Sequence, residues 1–206
     1  MAELVDYIEA YNMLKKYKIR SVESRYVNSA DEAIEFSKGD AIVLKVLSQK
    51  ALHKSRNGLV MLDLKDGSIE SAFNELKRKA EVMHLKPYHI IAQKMVGNGI
   101  EIIVGGNTDQ QFGKLVLIGL GGIYVETFRD FALRVCPITR YDAQSMLEQL
   151  KSSKVIAPDE KSREMLVDLL IRVSKMFVEN DITELDLNPV ILHDGTYDAV
   201  DLRLMR

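Results

Sequence analysis

Leu4, Ile8, Tyr11 and Leu14 fall at spacings of four, three and three, which predicts an amphipathic helix ending near Tyr17. A short extended piece, Arg25-Tyr26-Val27, precedes Ser29-Ala30-Asp31-Glu32, whose Ser and Glu have the spacing of a capping box. The helix it opens should run to about Lys38 and close at Gly39. Ala41 to Val46 reads as a strand, followed by a polar loop and a second strand over Leu59 to Leu62. Ile69 to about Met83 has helical periodicity. His89 to Val96 and Ile100 to Val104 read as strands, joined as a hairpin through Gly97-Asn98-Gly99. Eight of the twelve glycines lie between Gly97 and Gly122, which marks strands and tight turns rather than helices.

Further strands are expected over Leu115 to Leu120 and Phe131 to Val135. Thr139 with Asp142 should start a helix to about Leu150, and Pro158 as a first-turn residue should open a long one to about Val178. The chain ends in a hairpin, with Glu184 to Leu192 returning through Asp194-Gly195 into Tyr197 to Leu204. Helices mixed with antiparallel hairpins indicate an α+β fold rather than a βαβ ladder.

Composition narrows the class. The chain has 206 residues, 28 Lys and Arg against 30 Asp and Glu, 47% hydrophobic and 28% charged residues. That balance is globular and long enough to bury a sizeable core in one domain or two closely packed subdomains. A net charge of −2 speaks against coating nucleic acid or an anionic membrane. One cysteine, Cys136, permits neither an internal disulfide nor a Cys-based zinc site, and points to a reducing, cytoplasmic setting. The longest apolar run, Leu115 to Val125, has 11 residues including three glycines, too few to span a membrane.

Chemistry concentrates in the last hairpin. A two-residue Asp194-Gly195 turn sets Asn188 opposite Asp201 and Asp186 opposite Arg203, all on one polar face. Leu185, Leu187 and Ile191 then share the other face with Val200, Leu202 and Leu204. Cross-strand neighbours on one face lie within reach of a common ion, and two carboxylates with an amide oxygen are donors that magnesium accepts. A solvated face with a surface Asp–Arg pair fits the same pattern. Lys45, inside an apolar strand, is by default an edge-strand lysine; the other reading directs it at a bound anion. His53 in its polar loop is either solvated or a phosphoryl acceptor, since a neutral imidazole is nucleophilic near its ordinary pKa. His84, His89 and His193 show no ligand spacing. Glu101 either accepts ribose hydroxyls or solubilises its face. Gly121-Gly122 either lets backbone approach phosphates or makes a bend. Tyr124 stands where a dinucleotide fingerprint has its third glycine, and no Walker motif is present.

In order, Val43-Leu44-Lys45-Val46, Leu52-His53-Lys54-Ser55, Gln93-Lys94-Met95-Val96, Gly99-Ile100-Glu101-Ile102-Ile103-Val104-Gly105, Gln111-Phe112-Gly113, Gly119-Leu120-Gly121-Gly122-Ile123-Tyr124-Val125-Glu126 and Glu184-Leu185-Asp186-Leu187-Asn188-Pro189 resemble the ATP-grasp β subunit of ADP-forming acetyl-CoA synthetase. The resemblance covers nearly the whole chain. It implies an α+β ATP-grasp fold, with a lid-like subdomain over 20–95 and a second subdomain over 1–19 and 96–206, the nucleotide lying between them. It implies an acid–CoA ligase that works only with a CoA-binding α subunit and uses ATP or ADP with Mg2+. Lys45 would contact the phosphates, Gln93, Lys94, Met95 and Val96 would form the adenine hinge, and Glu101 would hold the ribose. Gly121 and Gly122 would approach the phosphates, Asn188 and Asp201 would coordinate magnesium with Asp186 beside them, and His53 would relay phosphate from the α subunit to ADP.

Two departures accompany it. After His53 the family continues with an acid and then Gly-Gly-Val, whereas here the chain reads Arg56-Asn57-Gly58-Leu59-Val60. An arginine there would lower the imidazole pKa by like-charge repulsion. The family's Gly/Arg-containing stretch between Leu150 and Pro158 is also missing. The alternatives are a nucleotide-binding paralogue with a regulatory or scaffolding role and no phosphohistidine relay, and an ATP-grasp ligase with another acceptor.

Overall fold

The computed structural model describes residues 3–48, 58–122 and 130–206. His53, Arg56 and Asn57 lie outside the described residues. The chain forms two compact units, Val22–Met95 and the combination of Met1–Ser21 with Val96–Arg206.

The unit Val22–Met95 contains β1 (Ser24–Val27), α1 (Ala30–Ser37), β2 (Ile42–Leu47), β3 (Val60–Leu64), α2 (Asp66–Val82) and β4 (His89–Lys94). The strands form an antiparallel sheet in the order β1-β4-β2-β3. Ile42, Leu44 and Val46 alternate onto the face that packs with Phe36, Ile69, Phe73 and Leu76. Leu59 joins this core and is fully buried, so the residue that departs from the family's glycine serves packing. Its carbonyl accepts the Val46 N–H at 2.9 Å. Ser29 caps α1 through the Glu32 N–H, but the Glu32 carboxylate takes the Asn28 N–H, one residue earlier than a regular capping box requires.

The other unit contains α3 (Tyr7–Lys16, the first helix of the chain), β5 (Ile100–Asp109), β6 (Gly113–Leu120), β7 (Phe131–Val135), α4 (Arg140–Gln149), α5 (Ser153–Ile156), α6 (Glu160–Glu179), β8 (Glu184–His193), β9 (Thr196–Ala199) and β10 (Leu202–Met205). Its antiparallel sheet runs β10-β8-β5-β6-β7, with β9 also paired to β8. Ile102, Val104, Val116, Ile118, Leu185 and Leu187 are buried, as are Leu166, Leu170, Val173 and Phe177 of α6. Gly106 matters to this packing: a Cβ there would lie 2.9 Å from the Phe177 ring.

Several expectations change. The buried stripe of α3 is Tyr7, Ala10 and Leu14, because the helix begins at Tyr7 and Leu4 instead forms a bridge to Met205. Gly97-Asn98-Gly99 is not a hairpin. Both edges of β4 are taken by β1 and β2, and β5 pairs with β6 and β8 in the other sheet. Pro158 precedes the cap rather than opening the helix; Asp159 is the N-cap and accepts the Ser162 N–H at 2.7 Å. The last strand is divided into β9 and β10. β8 bulges against β5, with Ile102 opposite Val190 but Val104 opposite Leu187. The extra residue inverts side-chain parity. Val190, Leu192, Tyr197 and Ala199 are therefore buried beyond the bulge, and Ile191 and Val200 are not core. Proline, which cannot donate to a ladder, occupies the irregular position as Pro189.

Asp130, immediately before β7, anchors the turn between α4 and α5. Its carboxylate accepts the N–H groups of Lys151 and Ser152, each at 2.8 Å. Burial opposes its ionisation, but the bonds from Ser152 and Lys151 prevail and hold its pKa below the ordinary 3.8. An aspartate depressed in the folded state contributes stability above the unfolded value and loses it as pH falls through the folded one. Asp130→Asn is expected to cost about 1–3 kcal/mol at pH 7, in the range for a compromised buried hydrogen bond. Urea denaturation should show that difference shrinking below the ordinary aspartate value; a pH-independent difference would contradict the assignment.

Candidate functional site

β5, β6 and the β8 hairpin bring six of the sequence-derived candidates, Glu101, Gly121, Gly122, Asp186, Asn188 and Asp201, onto one sheet or the ends of its strands. The Gly121 N–H donates to the Glu101 carbonyl at 2.7 Å, one rung beyond the pairing of Ile102 with Leu120. A Cβ on Gly121 would lie 2.8 Å from the Glu101 carbonyl carbon and oxygen, so the two strands can approach this closely only with glycine there. Gly122 has φ +68°, and its missing Cβ would face Glu101 Oε2 at 3.3 Å. Glu101 itself is exposed. On its other side it pairs with Ile191 of β8.

The turn at Asp194-Gly195 sets His193 opposite Thr196, Asp186 opposite Arg203 and Leu187 opposite Leu202. Between these paired stretches, the Asn188 N–H donates to the Asp201 carbonyl at 3.2 Å and the Val200 N–H to the Pro189 carbonyl at 2.9 Å. Asn188 and Asp201 are thus level with one another in the interval between β9 and β10. One Asp201 carboxylate oxygen turns back to the Leu202 N–H at 3.1 Å.

Asp186 is exposed at its edge yet crowded by protein. That burial first, and the Asp201 carboxylate second, push its pKa up, while Arg203 acts in the opposite direction. No Asp186–Arg203 ion pair within 4.0 Å occurs among the described residues; the side-chain contact of Arg203 is Met205 Sδ at 3.7 Å. A simple Asp–Arg surface pair therefore does not account for this face. Asp186, Arg203, Glu184, Leu185, Gly106 and Asn107 line a cleft of about 240 Å³. Glu184 and Asn107 were not among the candidates. Glu184 shares parity with Asp186, a signal the sequence carried, whereas Asn107 reaches the cleft through the pairing of β5 with β8. Among the described residues no group of three or more His, Cys, Asp or Glu side chains could hold a metal, so a cation here would rely on two carboxylates, an amide oxygen and ligand or water oxygens. That donor set is within what magnesium accepts.

In the other unit, β2 lies between β4 and β3, and Lys45 is 5% exposed. The edge-strand reading of Lys45 is thereby overturned. Gln93 is buried opposite Ser24, and its Nε2 donates to Ser24 Oγ at 3.0 Å. The Lys94 ammonium donates to the Ser37 carbonyl at 2.7 Å and to Asp40 at 3.0 Å, and lies 5.5 Å from the centre of the Phe36 ring. Its side chain therefore closes the C-terminus of α1. The backbone N–H groups of Lys94 and Met95 are bonded to Glu23 and Ala41. No helix among the described residues is long and apolar enough to cross a membrane.

A family model described as an ATP-grasp domain matches residues 2–205. The chain is 34% identical to the β subunit of acetate–CoA ligase (ADP-forming) I of Pyrococcus furiosus, over 96% of this chain and 89% of that one. It is also 34% identical to acetate–CoA ligase (ADP-forming) I of Archaeoglobus fulgidus, covering 96% of this chain but only 30% of that longer protein. Among solved structures, acetyl-coenzyme A synthetase 1 of Ca. Korarchaeum cryptofilum, complexed with coenzyme A and Ca-AMPCP, superposes with a TM-score of 0.89 at 33% identity, over 99% of this chain and 93% of that one. A second structure of that protein holds coenzyme A and Mg-AMPPCP, with its phosphohistidine segment pointing towards the nucleotide-binding site. A family match over nearly every residue, at this identity and structural agreement, establishes that the chain belongs to the ATP-grasp family, as a homologue of the β subunits of ADP-forming acyl-CoA synthetases.

Proposed function

We propose that the chain is the nucleotide-handling β subunit of an ADP-forming acyl-CoA synthetase, passing a phosphoryl group between a phosphohistidine and ADP. The carrying observation is the arrangement of the β5–β6–β8 sheet. Glu101 sits against Gly121 and Gly122 there, and Asn188 sits level with Asp201 beside a carboxyl at Asp186 whose pKa is already raised. Two carboxylates that repel each other around an amide oxygen gain from a divalent cation. Asn188, Asp201 and Asp186 would hold Mg2+, which when bound neutralises phosphate oxygens during transfer. Glu101 would accept ribose hydroxyls, with Gly121 and Gly122 leaving room for a ligand to approach backbone.

In the other unit, Lys45 would bind phosphate oxygens, a role its burial on a central strand favours over solubilising an edge. Gln93 to Val96 would form the adenine edge, Lys94 through backbone alone because its side chain is committed elsewhere. The relay through His53 rests on the resemblance. With a proton taken from solvent on the other ring nitrogen, the phosphoryl group on its imidazole would leave by breaking the N–P bond as an oxygen of the ADP β-phosphate forms the new O–P bond, leaving neutral His53 and ATP. The CoA-binding part would be a separate α partner; the single-chain relative, of which this region matches 30%, is consistent with such a division.

A second reading has its own support. Leu59, where the family has glycine, is fully buried in the core of its unit, and Arg56 replaces an acid near His53. These features favour a nucleotide-binding paralogue with a regulatory or scaffolding role.

Titration calorimetry of the purified chain should detect ADP or ATP binding that strengthens with Mg2+; absence of any binding with magnesium present refutes the site. Asp201→Asn should weaken the magnesium-dependent part about tenfold or more, with Lys151→Ala unaffected. Gly121→Ala should lower nucleotide affinity because its Cβ would meet Glu101 backbone at 2.8 Å, whereas Gly67→Ala, with nothing within 4 Å, should not. With a cognate α subunit, acyl-CoA and phosphate supplied, acid-labile phosphate should appear on His53. Full turnover by His53→Ala in that assay would leave the paralogue or a different ligase.

A further inference from the structure

Arg20 and Ser21 are the last residues of the N-terminal piece before the chain leaves this unit at Val22. Both are fastened to β9. The Arg20 N–H donates to Tyr197 Oη at 3.3 Å, and its carbonyl accepts the Ala199 N–H at 3.1 Å. Ser21 continues the contact as a parallel bridge to Ala199. The side chain adds Nε to the Tyr197 carbonyl at 3.0 Å and a terminal nitrogen to both Asp198 oxygens at 3.3 Å. Asp198 is only 14% exposed and shares its Oδ2 with His193 Nε2 at 2.9 Å.

Asp201 stands two residues beyond Ala199, in the interval Val200–Asp201 that belongs to neither β9 nor β10. The interval is tied to β8 by the Val200 N–H and the Asp201 carbonyl, and the position of the Asp201 carboxylate depends further on how the ends of the interval are held. On the downstream side β10 is paired with β8. On the upstream side β9 is paired with β8 on one edge and fixed by Arg20 and Ser21 on the other. An exposed Arg–Asp pair by itself adds little stability. Arg20 differs because its planar donors join a backbone carbonyl to a mostly buried carboxylate, fixing the strand's position rather than merely attracting it.

We propose that Arg20, acting through Tyr197, Asp198 and Ala199, is a positioning residue for Asp201 and hence for the divalent cation that Asp201 would hold. This rests on the reading of Asp201 given above.

The test uses the full chain and reads the Mg2+ concentration for half-saturation in the presence of ADP, together with ADP affinity without Mg2+. Arg20→Ala should raise the Mg2+ requirement about tenfold, as loss of a partner behind a metal ligand does, and leave magnesium-free ADP affinity unchanged. Arg20→Lys should recover part of the loss, because an ammonium can meet the Asp198 carboxylate or the Tyr197 carbonyl but does not reproduce the fork. An unchanged Mg2+ requirement in a folded Arg20→Ala protein overturns the inference, and so does an equal loss of magnesium-free affinity. Should Arg20→Ala fail to fold, Asp198→Asn, which keeps shape and removes charge, decides on the same two readings. Wild-type protein whose ADP binding ignores Mg2+ refutes the function itself, whereas magnesium dependence in wild type without an effect in the variants refutes only the role of Arg20.

Discussion

The pairing of β8 with β5 governs everything that lies on this sheet. Side chains alternate with a period of two, so a one-residue slip would bury Asp186 and expose Leu187. β8 solves a further problem with its bulge. Leu185 and Leu187 point to the core before it, Val190 and Leu192 after it, and Asn188 and Pro189 fall between. A regular ten-residue strand would have sent either the first or the second apolar pair outward. The irregularity thus buries both halves while leaving Asp186 and Asn188 on the side away from the core. Because β9 and β10 keep step with β8 on either side of the interval, Asp201 is carried to the same level.

Pattern alone made much of this visible. The Asp194-Gly195 turn sets cross-strand partners by counting, so the juxtaposition of Asn188 with Asp201 and of Asp186 with Arg203 could be read from residue order. The parity change at Pro189 could not be read so simply, since it depends on which residue of β5 lies opposite. Ile191 accordingly looked like core and is not. The Gly97–Asn98–Gly99 segment shows the same limit. Its glycines resemble a turn between two good strands, but strand partners are chosen by long-range pairing, and here they lie in different sheets. Helix caps, being local, were more legible, with Thr139 and Asp142 making the full reciprocal box.

Lys45 illustrates how a single-sequence default fails. Lysine in a strand usually signals an edge, yet the strand after it folds back and takes its place at the edge, leaving β2 between two neighbours. Nothing local in Ile42 to Leu47 distinguishes these cases. The order of strands does, and it makes burial of an ammonium the fact to be explained rather than its exposure. Lys94 offers the reverse lesson: placed by sequence in a ligand-binding segment, its side chain is absorbed by the C-terminus of α1 and by Asp40.

The electrostatics of the polar face bear on why Asp186 and Asp201 are kept together at all. Burial first and the neighbouring Asp201 carboxylate second make ionisation of Asp186 less favourable, and Arg203 across the ladder acts in the opposite direction. A close Asp–Arg contact would relieve the repulsion without any ligand, but the guanidinium stands off. The face is therefore better suited to a mobile charge than to a resident one. A divalent cation, as proposed above, would supply twice the charge of an arginine and would take ligands from both strands at once. A salt bridge in the same place would stabilise the free protein and compete with the cation for the same oxygens. On that logic the repulsion that Arg203 only partly offsets is a cost in the free chain that a bound cation would remove, which would tie affinity at the proposed site to the stability of the hairpin.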